Sequence, residues 1–135
     1  MIKPIEEAKK PPEPSLYEKF GDDQKWTLFV DEIVNQFMVH PDLKGPHARV
    51  FQDSEQIELF KYKMLQYFKF LAGGSKRYLG KSLEDVHRHM GISEALFDKS
   101  KDIILAAMKK MRPRPVSVLI DFMKRIEGLR FQICN

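Results

Sequence analysis

Apolar residues recur at helical spacing through most of the chain. Trp26, Phe29, Val30, Ile33, Val34, Phe37 and Met38 form an unbroken i, i+3, i+4, i+7 stripe. Asp22 or Asp23 can cap its start, and His40-Pro41 stops it, because the residue before a proline avoids the helical region. A second stripe runs through Ile57, Phe60, Met64, Tyr67, Phe68 and Leu71. It opens at Asp53, with Gln56 at capping-box spacing, and closes at Gly73-Gly74. A short helical segment follows, carrying Leu83, His87 and Met90 on one side and ending at Gly91. Ser93 then caps a long segment with Phe97, Ile103, Ile104, Ala107, Met108 and Met111, which Arg112-Pro113-Arg114-Pro115 interrupts. The last stripe is Val116, Leu119, Ile120, Met123 and Ile126. Five helical segments, no strand and no internal repeat predict an all-α domain over residues 15–135. Residues 1–14, with Pro4, Pro11, Pro12 and Pro14 among charges, predict a flexible tail.

Composition narrows the setting. With 43% apolar residues, 135 residues support one hydrophobic core, and 31% charged residues suit a folded surface. The net charge is only +4, and its basic clusters, Lys109-Lys110, Arg112 with Arg114, and Lys124-Arg125, read as solvated helix faces rather than a nucleic-acid footprint. The single cysteine, Cys134, cannot form an internal disulfide, which suits a reducing compartment. The longest apolar run, around residues 103–108, is far short of the ~20 residues of a membrane span. The first residues lack the hydrophobic run of a secretory signal. Together these features predict a cytoplasmic protein without nucleic-acid or membrane partners, a monomer or weak oligomer.

One residue in the pattern carries chemistry. His87 shares a stripe with Leu83 and Met90, so its imidazole points inward among apolar neighbours. A basic nitrogen in such surroundings needs a partner, either a backbone carbonyl or a metal. His89, two residues on, points the other way, which excludes a pair of ligands on one helix face. Phe60, Tyr67 and Phe68 crowd one segment, Phe51 precedes it and Phe97 follows the histidine. Such a set either packs an ordinary core or lines a flat apolar cofactor.

Three stretches, in order, decide between these. Ser15-Leu16-Tyr17-Glu18-Lys19-Phe20-Gly21, Gly73-Gly74-Ser75-Lys76-Arg77-Tyr78-Leu79-Gly80 and Leu83-Glu84-Asp85-Val86-His87-Arg88-His89-Met90-Gly91-Ile92 together resemble the truncated haemoglobins, the two-over-two globins, closest to their group I. The resemblance covers about residues 15–131. It implies a globin-like two-over-two helical sandwich enclosing haem b (iron protoporphyrin IX). It makes His87 the proximal iron ligand through Nε2. Leu83, Val86, Met90 and Phe97 then line the proximal side, and Phe51, Phe60, Met64 and Phe68 the distal side, with Tyr78 near the haem edge.

On the distal side the chain departs from the family. The slot that usually holds a tyrosine falls on Val34 when counted from the opening segment, or on Met38 when counted back from Phe51, because the connecting loop is longer than usual. A glutamine often found in the Met64 slot is absent. Lys63 lies beside these positions, where in some relatives a lysine closes the sixth iron position. Its alternative is a salt bridge with a haem propionate. Met64 and His47, from the long loop, are further chemically possible ligands. The implied activity is reversible binding of O₂, CO or NO. The alternatives are a redox or nitric-oxide-detoxifying enzyme served by an external reductase, and a haem-free helical interaction domain.

Overall fold

Hydrogen-bonding side chains set where most of the helices start. In the computed structural model, which describes residues 13–134, Ser15 and Glu18 form a reciprocal capping box at the head of α1 (Leu16–Phe20). Asp22, rather than Asp23, caps α2 (Asp23–Val39) by accepting the Lys25 amide at 2.9 Å. His40 is extended and ends that helix before Pro41. Turns over residues 41–47 lead to α3 (Ala48–Phe51). Asp53 caps α4 (Ser54–Leu71) through the Glu55 amide at 2.9 Å, in place of the capping-box pairing that the Gln56 spacing suggests. Ser82 caps α5 (Leu83–His87) and Ser93 caps α6 (Glu94–Lys110), each accepting the amide three residues on at 3.1 Å. The chain finishes with α7 (Ser117–Glu127) and α8 (Arg130–Ile133). The tail expected over residues 1–14 falls, for residues 1–12, outside the described residues.

Eight helices are thus described where the periodicity predicts five. The additional ones, α1, α3 and α8, have five, four and four residues, too short for a 3.6-residue period to register. No strand occurs among the described residues. The long helices form two layers: α2 packs on α4 within one, α6 on α7 within the other, and α2 crosses α6 between them. The all-α, two-over-two arrangement expected from the sequence is the one observed. Among the described residues no helix is long and apolar enough to cross a membrane.

One half of this sandwich is solid with aromatic rings. Phe122 of α7 is fully buried and meets Trp26 at 5.4 Å, Phe29 at 5.8 Å and Phe68 at 5.3 Å between ring centroids, all edge-on. The stripe of α7 differs from the predicted one. Val118, Phe122 and Ile126 are buried, whereas Val116 and Ile120 are 64% and 50% exposed. Of the stripe read from the sequence, Ile126 is buried and Leu119 and Met123 pack against the core, while Val118 and Phe122 are core residues it did not include.

The glycine pair at the end of α4 has two separate jobs. Gly73 takes φ +80°, so that its amide bonds Phe70 and the Gly74 amide bonds Lys69, a Schellman closure. Gly74 lies under Tyr17: a Cβ there would come within 2.6 Å of the ring. Tyr17 in turn donates its amide to the Ala72 carbonyl at 2.9 Å and stacks on Trp26 at 4.8 Å. The N-terminal helix is thereby clamped onto the end of α4.

Because Phe122 joins both layers, Phe122→Ala should lower the unfolding free energy by about 3–5 kcal/mol. Urea titration of wild type and variant checks this; a loss under about 1 kcal/mol would contradict the central role of that ring.

Candidate functional site

The other half of the sandwich is hollow. The layers, α5 and the loop before α3 enclose a cavity of about 660 Å³, within the ~300–1,000 Å³ range of small-molecule and cofactor sites. α4 contributes Phe60, Lys63, Met64 and Phe68 to its wall, and Tyr78 comes from the segment that follows. Opposite them stand Leu83, Val86 and His87 of α5, with Met90 and Phe97 beyond. These expected site residues, remote in sequence, therefore share one space.

Three expectations need correction. Phe51 does not line the cavity but stands behind it, its ring 5.6 Å from His47 and 6.1 Å from Phe60. Val34 is fully buried in the core and does not reach the cavity; Phe37, three residues on, does. Met38 packs against the core without lining the space. The reason is the direction of α2, whose inward face turns from the solid half towards the hollow one only in its last turn.

His87 is half-buried at the C-terminal end of α5. Its Nδ1 lies 2.7 Å from the Leu83 carbonyl oxygen. A carbonyl only accepts, so Nδ1 carries a hydrogen and donates it. Burial lowers the imidazole pKa, with the Leu83 bond opposing it. His89 is exposed, as its spacing predicts.

A second imidazole shares the cavity wall. His47, only 9% exposed, places Nδ1 2.9 Å from the Leu43 carbonyl, repeating the i−4 bond of His87. Its ring sits among Phe37, Phe51 and Phe60, at 5.6, 5.6 and 5.4 Å. Burial depresses its pKa; the bond to Leu43 opposes this, and the nearby His87 depresses it further. The two rings are thus within electrostatic reach of each other. Leu43 is fully buried, and Asp42 pairs with Lys99 of α6, so the loop is fastened at both a greasy and a charged point. Sequence reading brings in His47 only as a chemically possible ligand from the loop. The signal that marks its inward position is the spacing Leu43, His47, Phe51, three residues at i, i+4 that form a short apolar row.

Cations surround the opening. Lys63 and Arg49 line the cavity, are exposed, and make no ion pair among the described residues. Lys101 also lines it but is held by Glu127 at 2.7 Å. Among the described residues no cluster of three or more His, Cys, Asp or Glu is placed to hold a metal ion. A metal carried within a macrocycle needs only one or two protein ligands.

The sequence matches no protein-family profile and no curated protein sequence. The structure does have counterparts. The truncated haemoglobin of Tetrahymena pyriformis in its Fe(III) form gives a TM-score of 0.76 at 20% identity, over 90% of this chain and 99% of that one. The fold is that of the truncated haemoglobins. A variant of the Tetrahymena protein reaches 0.78 over the same coverage. The 2/2 haemoglobin of Synechococcus sp. PCC 7002, in a cyanomet state with covalently attached haem, gives 0.75 at 16% identity over 88% of this chain and 95% of that one. In this fold the cavity lies between α4 and α5, with His87 in its wall.

The ion pairs beside the cavity set a pH response. Arg130, 2.7 Å from Glu127, and then Lys101 hold the Glu127 carboxyl down at about 2. A carboxyl depressed in the fold stabilises it above its ordinary pKa, and that contribution is lost as pH falls through the folded value. Urea midpoints of wild type and Glu127→Gln should therefore differ above about pH 4.5 and converge as pH drops towards about 2. A difference constant across that range would contradict the pairing.

Proposed function

We propose that this chain is a haem globin that binds a diatomic gas reversibly. The observation that carries the proposal is an imidazole, bonded through Nδ1 to the Leu83 carbonyl, in the wall of a large apolar cavity within the two-over-two fold. The residues present fit a haem. The cavity volume suits a cofactor, its walls are aromatic and aliphatic, and the cations Lys63 and Arg49 in its lining could pair with two propionates. With one cysteine the chain has no Cys-x-x-Cys-His attachment motif, which favours haem b.

In this reading His87 holds the iron through Nε2, and the Leu83 carbonyl orients the ring and raises its basicity. Phe60, Met64, Phe68 and Phe97 exclude water from the macrocycle's faces, which slows oxidation of the metal. Bound haem supplies an iron that takes O₂, CO or NO. Lys63 is assigned to a propionate, not to the metal. Ligation requires a neutral amine withdrawn from water, whereas Lys63 is exposed at the rim. Oxidation of nitric oxide at the same site would require electrons from a separate reductase.

Titration of the protein with haemin, followed by its Soret absorption, tests the proposal. Wild type should bind one haem per chain. His87→Gly should bind it at least ~10-fold more weakly, since loss of even an outer-shell partner costs about 10–100-fold, and added imidazole should restore the wild-type ferric spectrum. Lys63→Ala should weaken retention only a few-fold, as for a partly exposed ion pair of about 1 kcal/mol or less. Absence of a Soret band in wild type, or an unaltered one in His87→Gly, would refute the assignment.

A further inference from the structure

We propose that the outer face of α6 and α7 is a self-association surface, on which two copies of this chain meet about a two-fold axis and cover an apolar groove. The inference stands independently of the haem reading.

The first support is that α7 carries more apolar surface than its core contacts use. Its inward row, Val118, Phe122 and Ile126, is buried. Val116 and Ile120 stand outside that row, 64% and 50% exposed, and Leu119 and Met123 are only partly covered. A surface helix ordinarily turns polar residues to water. Apolar side chains gathered among charged ones mark a contact site.

The second is shape. Leu119, Ile120 and Met123 of α7 and Leu105 of α6 line a groove of about 380 Å³ between the two helices. Its other lining residues, Lys101, Asp102, Lys124 and Glu127, are all charged.

The third support is charge, which identifies the occupant. Lys101 and Glu127 pair across the groove at 2.7 Å. Asp102 and Lys124 are exposed and make no ion pair among the described residues. One stands on each wall, Asp102 on α6 and Lys124 on α7. The helices are joined through residues 111–116 at one end and bridged by Lys101 and Glu127 towards the other, so they run antiparallel. At the helical rise, Asp102 lies about 1.5 Å and Lys124 about 4.5 Å along from that bridge, within one turn of the same level.

A two-fold axis along the groove exchanges its walls. The α6 helix of each copy then lies over α7 of the other, and Asp102 of one copy faces Lys124 of the other, twice. One free anion and one free cation on opposite walls make a surface complementary to itself. A uniformly acidic or basic partner would meet a like charge on one wall. Lys101 also lines the large cavity, so the second copy lies against the outer side of a cavity wall.

Sedimentation equilibrium of the full chain tests this, in reductant so that Cys134 cannot cross-link copies. Wild type should reach the mass of two chains as concentration rises. Ile120→Asp and Ile120→Lys should remain single chains over the same range. Asp102→Lys and Lys124→Glu each set like charges opposite one another twice and should weaken association at least about tenfold. The double substitution rebuilds both pairs in reverse and should restore association to within about threefold of wild type. Lys109→Glu, which changes charge outside the groove, should leave it unaltered. Far-ultraviolet circular dichroism checks that each variant keeps its helices. A wild type that stays a single chain up to about 1 mM would show that the groove serves another occupant or none, and would overturn the proposal. Folded Ile120 variants that still pair, or a folded double substitution that does not recover, would overturn it equally.

Discussion

Phe68 occupies the seam on which this architecture depends. Its ring meets Phe122 and Phe29 in the solid half of the sandwich, and the same side chain forms part of the cavity wall. The aromatic packing of Trp26, Phe29 and Phe122 brings the two layers into contact at one end. Beyond Phe68 no ring of the described residues fills the gap, and the helices stay apart around the cavity. A protein interior is normally close-packed, so a cavity of this size marks a candidate binding site. The clamp of Tyr17 over Gly74 fixes the end of α4, and with it the position of Phe68.

Much of this was legible from the chain, because its signals are local. The α2 stripe, the proline and glycine stops, and the Ser82 and Ser93 caps act through neighbours a few residues away, and periodicity reports them. His87 could be read as inward-facing for the same reason. What it faced could not be derived from spacing; that came from the likeness of its flanking motif to the truncated haemoglobins, and the structure adds the cavity and the Leu83 bond.

The residues misread are those whose surroundings come from elsewhere. Val34 and Phe37 lie on one stripe, and only the crossing of α2 over α6 decides which meets core and which meets cavity. Val116 and Ile120 are apolar at helical spacing, yet α7 presents the Val118, Phe122 and Ile126 row to the interior. A propensity scale cannot choose between two interleaved apolar rows on one helix. Phe51 supports His47 from behind, a role that exists only once α3 and α4 have met. His47 itself sits at the edge of a four-residue helix, where no period is long enough to mark its inward side.

His47 lies on the connector between the last turn of α2 and the first of α4, belonging to neither long helix. A group carried on a connector behaves as a reagent at an effective concentration set by the tether's length and stiffness. Insertions in the 40–53 segment, or a change at the Asp42–Lys99 fastening, would shift His47 while the long helices kept their packing. The placement of that ring is then a property of polymer statistics, set by the connector rather than by the long helices it joins.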